Sequence, residues 1–535
     1  MGRRVVFLTP AVAASLLLAG CGDDESAVLA SDAGAPLEAR GLAFERSPSM
    51  TPEPTEVSLS GLTDPSGALA GEAVRVVNCV KDTAATTCQL EPKARPGPDG
   101  SYLEYGPPSD HGFGAPGSLD DPFAEVNAYY QLTRAHAYFA RLGAPPRPAP
   151  VAIVNAMFPV EFPGGADWFP LDNAAYVAPG FLARTGFEWP SEEPSFIIGQ
   201  GFFVDWAYDA DTLIHEYAHF VLGSVDGAAR FRRYAVDEQG IDPLSIAMTE
   251  AYADYFAASL VGDPAPPEYA YGGLARFFEM AGQPVPIRAR PRVLSERRVC
   301  PDDLLSELHL DSRAYSSALW AIREALGADL ADRIVFESVM TFPARFTVRE
   351  AIDATLERAE MEGGATRAAV EAAFGDRGLI DCRRIKRYED FTIAGDQEAV
   401  HVLGRMEAEA SELAGFVPAF WQYEVAVPPE TRALRLSITL DSPGEAPARV
   451  SAAWRAGQPV AYSYAGTGAA VAADAQIPFT VEGTSLSAVI AGTCLARGGS
   501  HYFQILNLGE TSISIVSSTL ELLDDAAGIA DYDCP

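Results

Sequence analysis

Apolar residues recur at helical spacing between residues 211 and 223. Leu213, Ile214, Tyr217, Ala218 and Val221 supply the apolar faces, Asp211 is placed to cap the start and Gly223 to end it. A denser run follows from Pro243, a residue suited to a helix first turn, through Leu244, Ile246, Ala247, Ala251, Tyr255, Phe256 and Leu260. Upstream, Asp120 to Leu142 reads as a helix carrying Phe123, Val126, Tyr130 and Phe139. Most of 305–380 has a helical pattern, including a helix over 312–327. Elsewhere the period is two. Val57 to Leu59, Ala73 to Val77, 151–155 and 196–204 read as strands, with a Pro98-Asp99-Gly100 turn. From about residue 388, alternating segments such as Leu434–Leu440, Tyr502–Leu506 and Ser512–Val516 are spaced by Gly, Pro and Asn. That is the pattern of a β-sandwich. No fixed-period repeat is present.

The first helical run contains His215, Glu216 and His219, an H-E-x-x-H motif. Positions i and i+4 share a helical face, so both imidazoles can grip one ion, and Glu216, one position round, can reach a water beside it. The second run places Glu250 and Asp254 on one face. Two carboxylates on a buried face are costly unless a cation or an imidazolium meets them. His215, His219 and Glu250 together make a zinc ligand set with an open fourth position, and Glu216 is the candidate general base. Asp254 is placed to orient His215 through the other ring nitrogen. His136, His111, His401 and His501 have packing or loop contexts.

Charge and cysteines narrow the setting. With 39 Lys and Arg against 73 Asp and Glu, net charge is −34, which excludes a basic nucleic-acid surface. At 48% hydrophobic residues the 535-residue chain can bury more than one core. Arg3 and Arg4, the apolar run Val5–Leu18 and then Leu18-Ala19-Gly20-Cys21 read as a bacterial lipobox, with cleavage before Cys21 and lipid on its thiol. This predicts an exported protein anchored to the cell envelope, with the membrane as one partner. Six other cysteines fit an oxidising compartment. Sequence order favours Cys79–Cys88, Cys300–Cys382 and Cys494–Cys534 among 15 possible pairings.

Asp211 to His219 with Glu250-Ala-Tyr-Ala-Asp254 resembles the gluzincin metallopeptidases of the thermolysin and fungalysin branches, over roughly residues 120–380. Asp172-Asn173-Ala174-Ala175-Tyr176 is similar to the edge strand along which that group binds peptide, which implies substrate contacts at Asn173 and Ala174. His309, ahead of Tyr315 and Trp320, resembles the second catalytic segment. The resemblance implies an oxyanion-stabilising role for His309, with Tyr315 as the alternative. Thr249 stands where Asn is common, and Leu304 where an aspartate would support the histidine, with Glu307 and Asp303 nearby. Asp211 matches a calcium-binding position, but its acidic partners are not matched, which leaves calcium doubtful.

The expected architecture is a multidomain α+β chain. It comprises a signal peptide (1–20), a flexible tether (21–55), a small β segment with a Cys79–Cys88 hairpin (56–104), a thermolysin-like zincin domain (105–387) and an all-β sandwich-like domain (388–535). The expected activity is zinc-dependent hydrolysis of peptide or protein substrates. The alternatives are a zinc aminopeptidase or other zinc hydrolase, and a non-catalytic surface protein with a vestigial site. Oligomeric state is not legible in the sequence.

Overall fold

The structure is a computed structural model. It describes residues 37–80, 88–108, 121–162, 165–178, 193–223, 234–343, 345–393, 398–408, 411–413, 415–441, 449–465, 468–491, 495 and 498–523. Two compact units divide the chain, Met1–Arg232 and Arg233–Pro535.

The first unit opens with an antiparallel pair, β1 (Leu37–Ala43) and β2 (Thr55–Leu62). Strands β3 (Arg75–Val80), β4 (Gln89–Glu91), β5 (Val151–Phe162), β6 (Gly165–Pro170), β7 (Ala174–Val177) and β8 (Ser195–Gly199) form a mixed six-stranded sheet. Its order is β4-β3-β5-β8-β7, with β6 on β5 and β7 outermost at one side. The neighbours β3, β5 and β8 run parallel, while β7 is antiparallel to β8. Helix α1 (Pro122–Arg141) begins where Asp121 Oδ1 accepts the Phe123 N–H at 2.9 Å, with Pro122 pre-set for the first turn. The helix buries Phe123, Val126, Tyr129, Leu132 and Phe139.

Two boundaries differ from the sequence reading. Residues 37–55, assigned to a tether on composition, contain β1 and a buried anchor. Phe44 packs against Phe123 and Tyr208 at 5.4 and 5.6 Å between ring centroids. Its N–H donates to Asn127 Oδ1, and its carbonyl accepts from Gln131 Nε2. Residues 56–104 are likewise not a separate segment, because β3 pairs in parallel with β5 inside the main sheet. The β3–β4 hairpin does carry the Cys79–Cys88 disulfide.

The second unit combines helices and sheets. Helix α2 (Ala210–Gly223) still belongs to the first unit; in the second, a short antiparallel pair, Ala235–Asp237 with Gly240–Asp242, leads into α3 (Leu244–Val261), which is almost wholly buried. Gly262, at φ +80°, ends α3 in the left-handed conformation that glycine adopts without strain. Helix α4 (Glu268–Met280) has no counterpart in the sequence reading. Helices α5 (Leu308–Leu326), α6 (Ala328–Val339), α7 (Val348–Met361) and α8 (Gly364–Asp376) follow. A capping box of Thr347 and Glu350 starts α7. The Cys300–Cys382 disulfide joins the approach to α5 with the exit from α8.

Two six-stranded sheets close the chain. One runs in the order Ile385–Arg387, Gln422–Val427, Gly499–Asn507, Val450–Ala456, Ala475–Pro478, with Val417–Pro418 also on Gly499–Asn507. The other runs Phe391–Thr392, Ile513–Leu523, Ala433–Leu440, Ser485–Ala491, Thr480–Glu482, with Val400–Val402 also on Ile513–Leu523. Residues of both, among them Val425, Leu434, Leu436, Trp454, Ile490 and Phe503, share one core, so the two sheets pack as a sandwich. Its boundary is not at 388. Ile385–Arg387 is already a sandwich strand, paired in parallel with Gln422–Val427. Arg384 is buried just before it and forms a two-pronged ion pair with Asp237.

Candidate metal centre

Helix α2 carries its motif on a firmly seated frame. Tyr217 packs against Phe139, Phe196 and Phe220, and its hydroxyl lies 2.9 Å from His136 Nδ1. That contact accounts for His136 as a packing residue. On the motif's own face, His215 Nε2 and His219 Nε2 stand 2.9 Å apart with their rings nearly perpendicular, at 85°. Two nitrogens bound to a tetrahedral zinc stand roughly 3.3 Å apart, so the pair converges as zinc requires. Glu216 is buried, and its Oε2 accepts the backbone N–H of Tyr176 at 2.6 Å. Tyr176 lies on β7, so the outermost strand and the candidate base are directly joined.

Helix α3 presents Glu250 and Asp254, both buried, as the i, i+4 spacing requires. One ring nitrogen each of His215 and His219 and one oxygen of Glu250 lie within 4.8 Å of one another. Among the described residues this is the one such cluster of His, Cys, Asp or Glu side chains. Imidazole and carboxylate are the donors zinc takes, and a small side-chain adjustment brings the set to bonding range, so the residues fit zinc.

Asp254 has a partner that the sequence reading did not name. Arg292 donates to both of its oxygens, and also to the Tyr271 hydroxyl. Burial alone would pull the Arg292 guanidinium's pKa down; the Asp254 carboxylate outweighs it and holds the charge on. Arg292 lies 38 residues beyond Asp254, a separation that no helical or strand spacing marks.

His309 sits in the first turn of α5. Its Nδ1 is 2.8 Å from Glu307 Oε1 and its Nε2 3.5 Å from Glu250 Oε2. Burial acts to lower the imidazole's pKa, but the Glu307 and Glu250 carboxylates outweigh it and push it up. Glu307 thus supplies the acid that the sequence lacks at Leu304. The same side chain caps α5, its Oε2 accepting the Leu310 N–H at 3.0 Å. An N-cap acid two residues ahead of a histidine was the available signal.

Tyr315 does not join this group. It is fully buried, its hydroxyl is 2.9 Å from that of Tyr252, and its ring packs on Phe374. The correction follows from helical phase: Tyr315 points into the α3–α5 packing core. Asn173 uses its side chain locally, Oδ1 accepting the Ala174 N–H at 2.9 Å, while its carbonyl accepts from Gly199. Ala174 is the first residue of β7. His401 and His501 have packing partners, Ser514 Oγ and the Trp454 indole. Two expected disulfides are present. Cys494, Cys534, Cys21 and His111 lie outside the described residues.

No protein-family profile matches the chain, and no curated protein matches it. Among solved structures, one similar chain is a family GH115 4-O-methyl-alpha-glucuronidase with specificity for decorated arabinogalactans, at 12% identity and a TM-score of 0.13. The match covers 59% of this chain and 43% of that one, and at such a score it carries no argument.

Proposed function

We propose that this protein is a zinc-dependent peptide-bond hydrolase, with His215, His219 and Glu250 as metal ligands. One observation carries the reading. Two converging imidazoles and a buried carboxylate oxygen lie together, and a second carboxylate, Glu216, sits on the next position of the same helix. Structural zinc sites are closed by four protein ligands, whereas three ligands beside a spare carboxylate suit catalysis.

A zinc ion held there would supply Lewis acidity, polarising a carbonyl and acidifying water. The chain's own residues do the rest. Glu216 takes the proton of the attacking water and passes it to the leaving nitrogen. The Tyr176 N–H fixes Oε2 of Glu216, which leaves Oε1 as the proton carrier. His309 is oriented by Glu307 at Nδ1, so Nε2 is the nitrogen that donates to a developing oxyanion. An extended substrate pairs along the outer side of β7, which among the described residues has a strand neighbour only on its β8 side. A thermolysin-like gluzincin arrangement belongs to the same proposal, as does export with a lipid on Cys21. No helix among the described residues is long and apolar enough to cross a membrane.

The test is zinc content together with hydrolysis of casein and of short blocked peptides, with a chelator control. Purified protein that holds no zinc, or holds it and cleaves neither substrate, would overturn the reading.

A further inference from the structure

His309 is only as well placed as the turn before it, and that turn is held by the C-terminal sandwich. Ser306 is buried and has φ +59°, a left-handed conformation that is uncommon for any residue but glycine. Its hydroxyl donates to the Ala399 carbonyl at 3.3 Å and accepts the His401 N–H at 2.8 Å. His401 lies in the strand Val400–Val402, which pairs with Ile513–Leu523, and its Nδ1 is 2.9 Å from Ser514 Oγ. The clamp is therefore rooted in a sheet.

A second hold comes from the other sheet. Lys386, in the strand Ile385–Arg387, donates from Nζ to the carbonyl of Leu304 and, at 3.4 Å, to that of Asp302. Its ammonium lies 4.1 Å from the centroid of the Trp421 ring, which fixes its direction. The remaining peptide of the turn is tied from the other side, where the Asp311 carboxylate accepts the Leu305 N–H. Leu304, Leu305 and Ser306 are thus each pinned, and the next residue is Glu307, which holds His309 and caps α5.

We infer that the sandwich belongs to the reaction machinery: through Ser306 and Lys386 it sets the turn that places Glu307, and thereby His309. Ser306 and Lys386 are positioning residues: neither belongs to the metal cluster, and both act on the turn. A sandwich that served only substrate capture would need no such contacts. An error of about 1 Å in a catalytic group can lower a rate by about 10²-fold, so the consequence is measurable. The inference rests on the hydrolase reading for its kinetic arm.

The full-length variants Ser306→Gly and Lys386→Met test it. Glycine accepts the left-handed backbone, so Ser306→Gly removes the hydroxyl without adding strain. The expected result in both is wild-type zinc content and a fall in kcat of about 10–100-fold, with KM changed less than about twofold. Amide exchange over residues 304–310 should rise at least about tenfold. Lys386→Arg should retain most of the rate. Wild-type kcat and wild-type exchange in both variants would overturn the inference; if Lys386→Met does not fold, Ser306→Gly decides alone. A wild-type protein without zinc or peptide cleavage would sink the hydrolase reading instead, and the exchange measurement would still show whether the sandwich holds the turn.

Discussion

Arg292 grips Asp254 through two hydrogen bonds, Nε to Oδ2 at 2.6 Å and Nη2 to Oδ1 at 2.7 Å, with both side chains almost wholly out of water. The pair braces helix α3 one turn beyond Glu250. Removing one partner strands the other charge, which typically destabilises by about 3–5 kcal/mol. Arg292→Met and Asp254→Ala should each show a loss of that size in urea unfolding. Asp254→Ala should also weaken zinc binding by roughly 10–100-fold. The double variant Arg292→Met with Asp254→Leu should recover much of the stability. Single variants as stable as the wild type would show that the pair does not brace the helix.

Glu250→Ala removes a proposed ligand rather than a brace. Zinc content after dialysis should fall sharply, with the fold retained. Full occupancy in this variant would place the third ligand elsewhere.

Glu216→Gln keeps all three ligands. It should bind zinc as the wild type does and lose peptide hydrolysis by about 10²–10⁴-fold, the usual contribution of a general base. Activity near the wild-type rate would remove Glu216 from the mechanism.

The two glutamates were legible because a helix converts sequence spacing into direction. His215 with His219, and Glu250 with Asp254, share faces for that reason alone. Arg292 was not legible, since it reaches Asp254 from a loop whose path only the tertiary structure sets. Strand β1 was hidden differently: in a polar, proline-bearing stretch, Phe44 carries little weight until Phe123 and Tyr208 are seen around it. In the sandwich, alternation marks strands as long as Ala433–Leu440, whose buried positions recur with a period of two. Its first strand, Ile385–Arg387, was missed because three residues cannot show a period.

Acid titration should reveal Glu125. This buried carboxylate accepts hydrogen bonds from Asn78 Nδ2 and from the Lys93 and Ala94 N–H groups. Burial nevertheless dominates and raises its pKa to about 7, from an ordinary value of 4.5. The folded state therefore binds this proton more tightly than the unfolded chain does. Its stabilisation is complete below pH 4.5 and is lost as pH rises to about 7, by about 3 kcal/mol at most. Melting curves of wild type and Glu125→Gln over that range should converge on the acidic side and separate toward neutrality, the wild type losing more. Parallel curves would contradict the assignment.

A chain cut after Arg387 should not fold as an independent unit. It would leave strand Ile385–Arg387 without its neighbour Gln422–Val427 and Ser306 without Ala399 and His401. Loss of a cooperative unfolding transition is the expected outcome. A folded, zinc-loaded product of that cut would show the helical lobe to be self-sufficient, as the separate domains 105–387 and 388–535 expected from the sequence pattern imply.

The Cys300–Cys382 bridge spans 82 residues and encloses α5 through α8 in a covalent ring. A backbone nick anywhere between its two sulfurs leaves both fragments linked. Under the proposed hydrolase reading, a protein cut by its own kind would keep His309 and its supporting helices after such a nick, and would shed them only once the bridge is reduced.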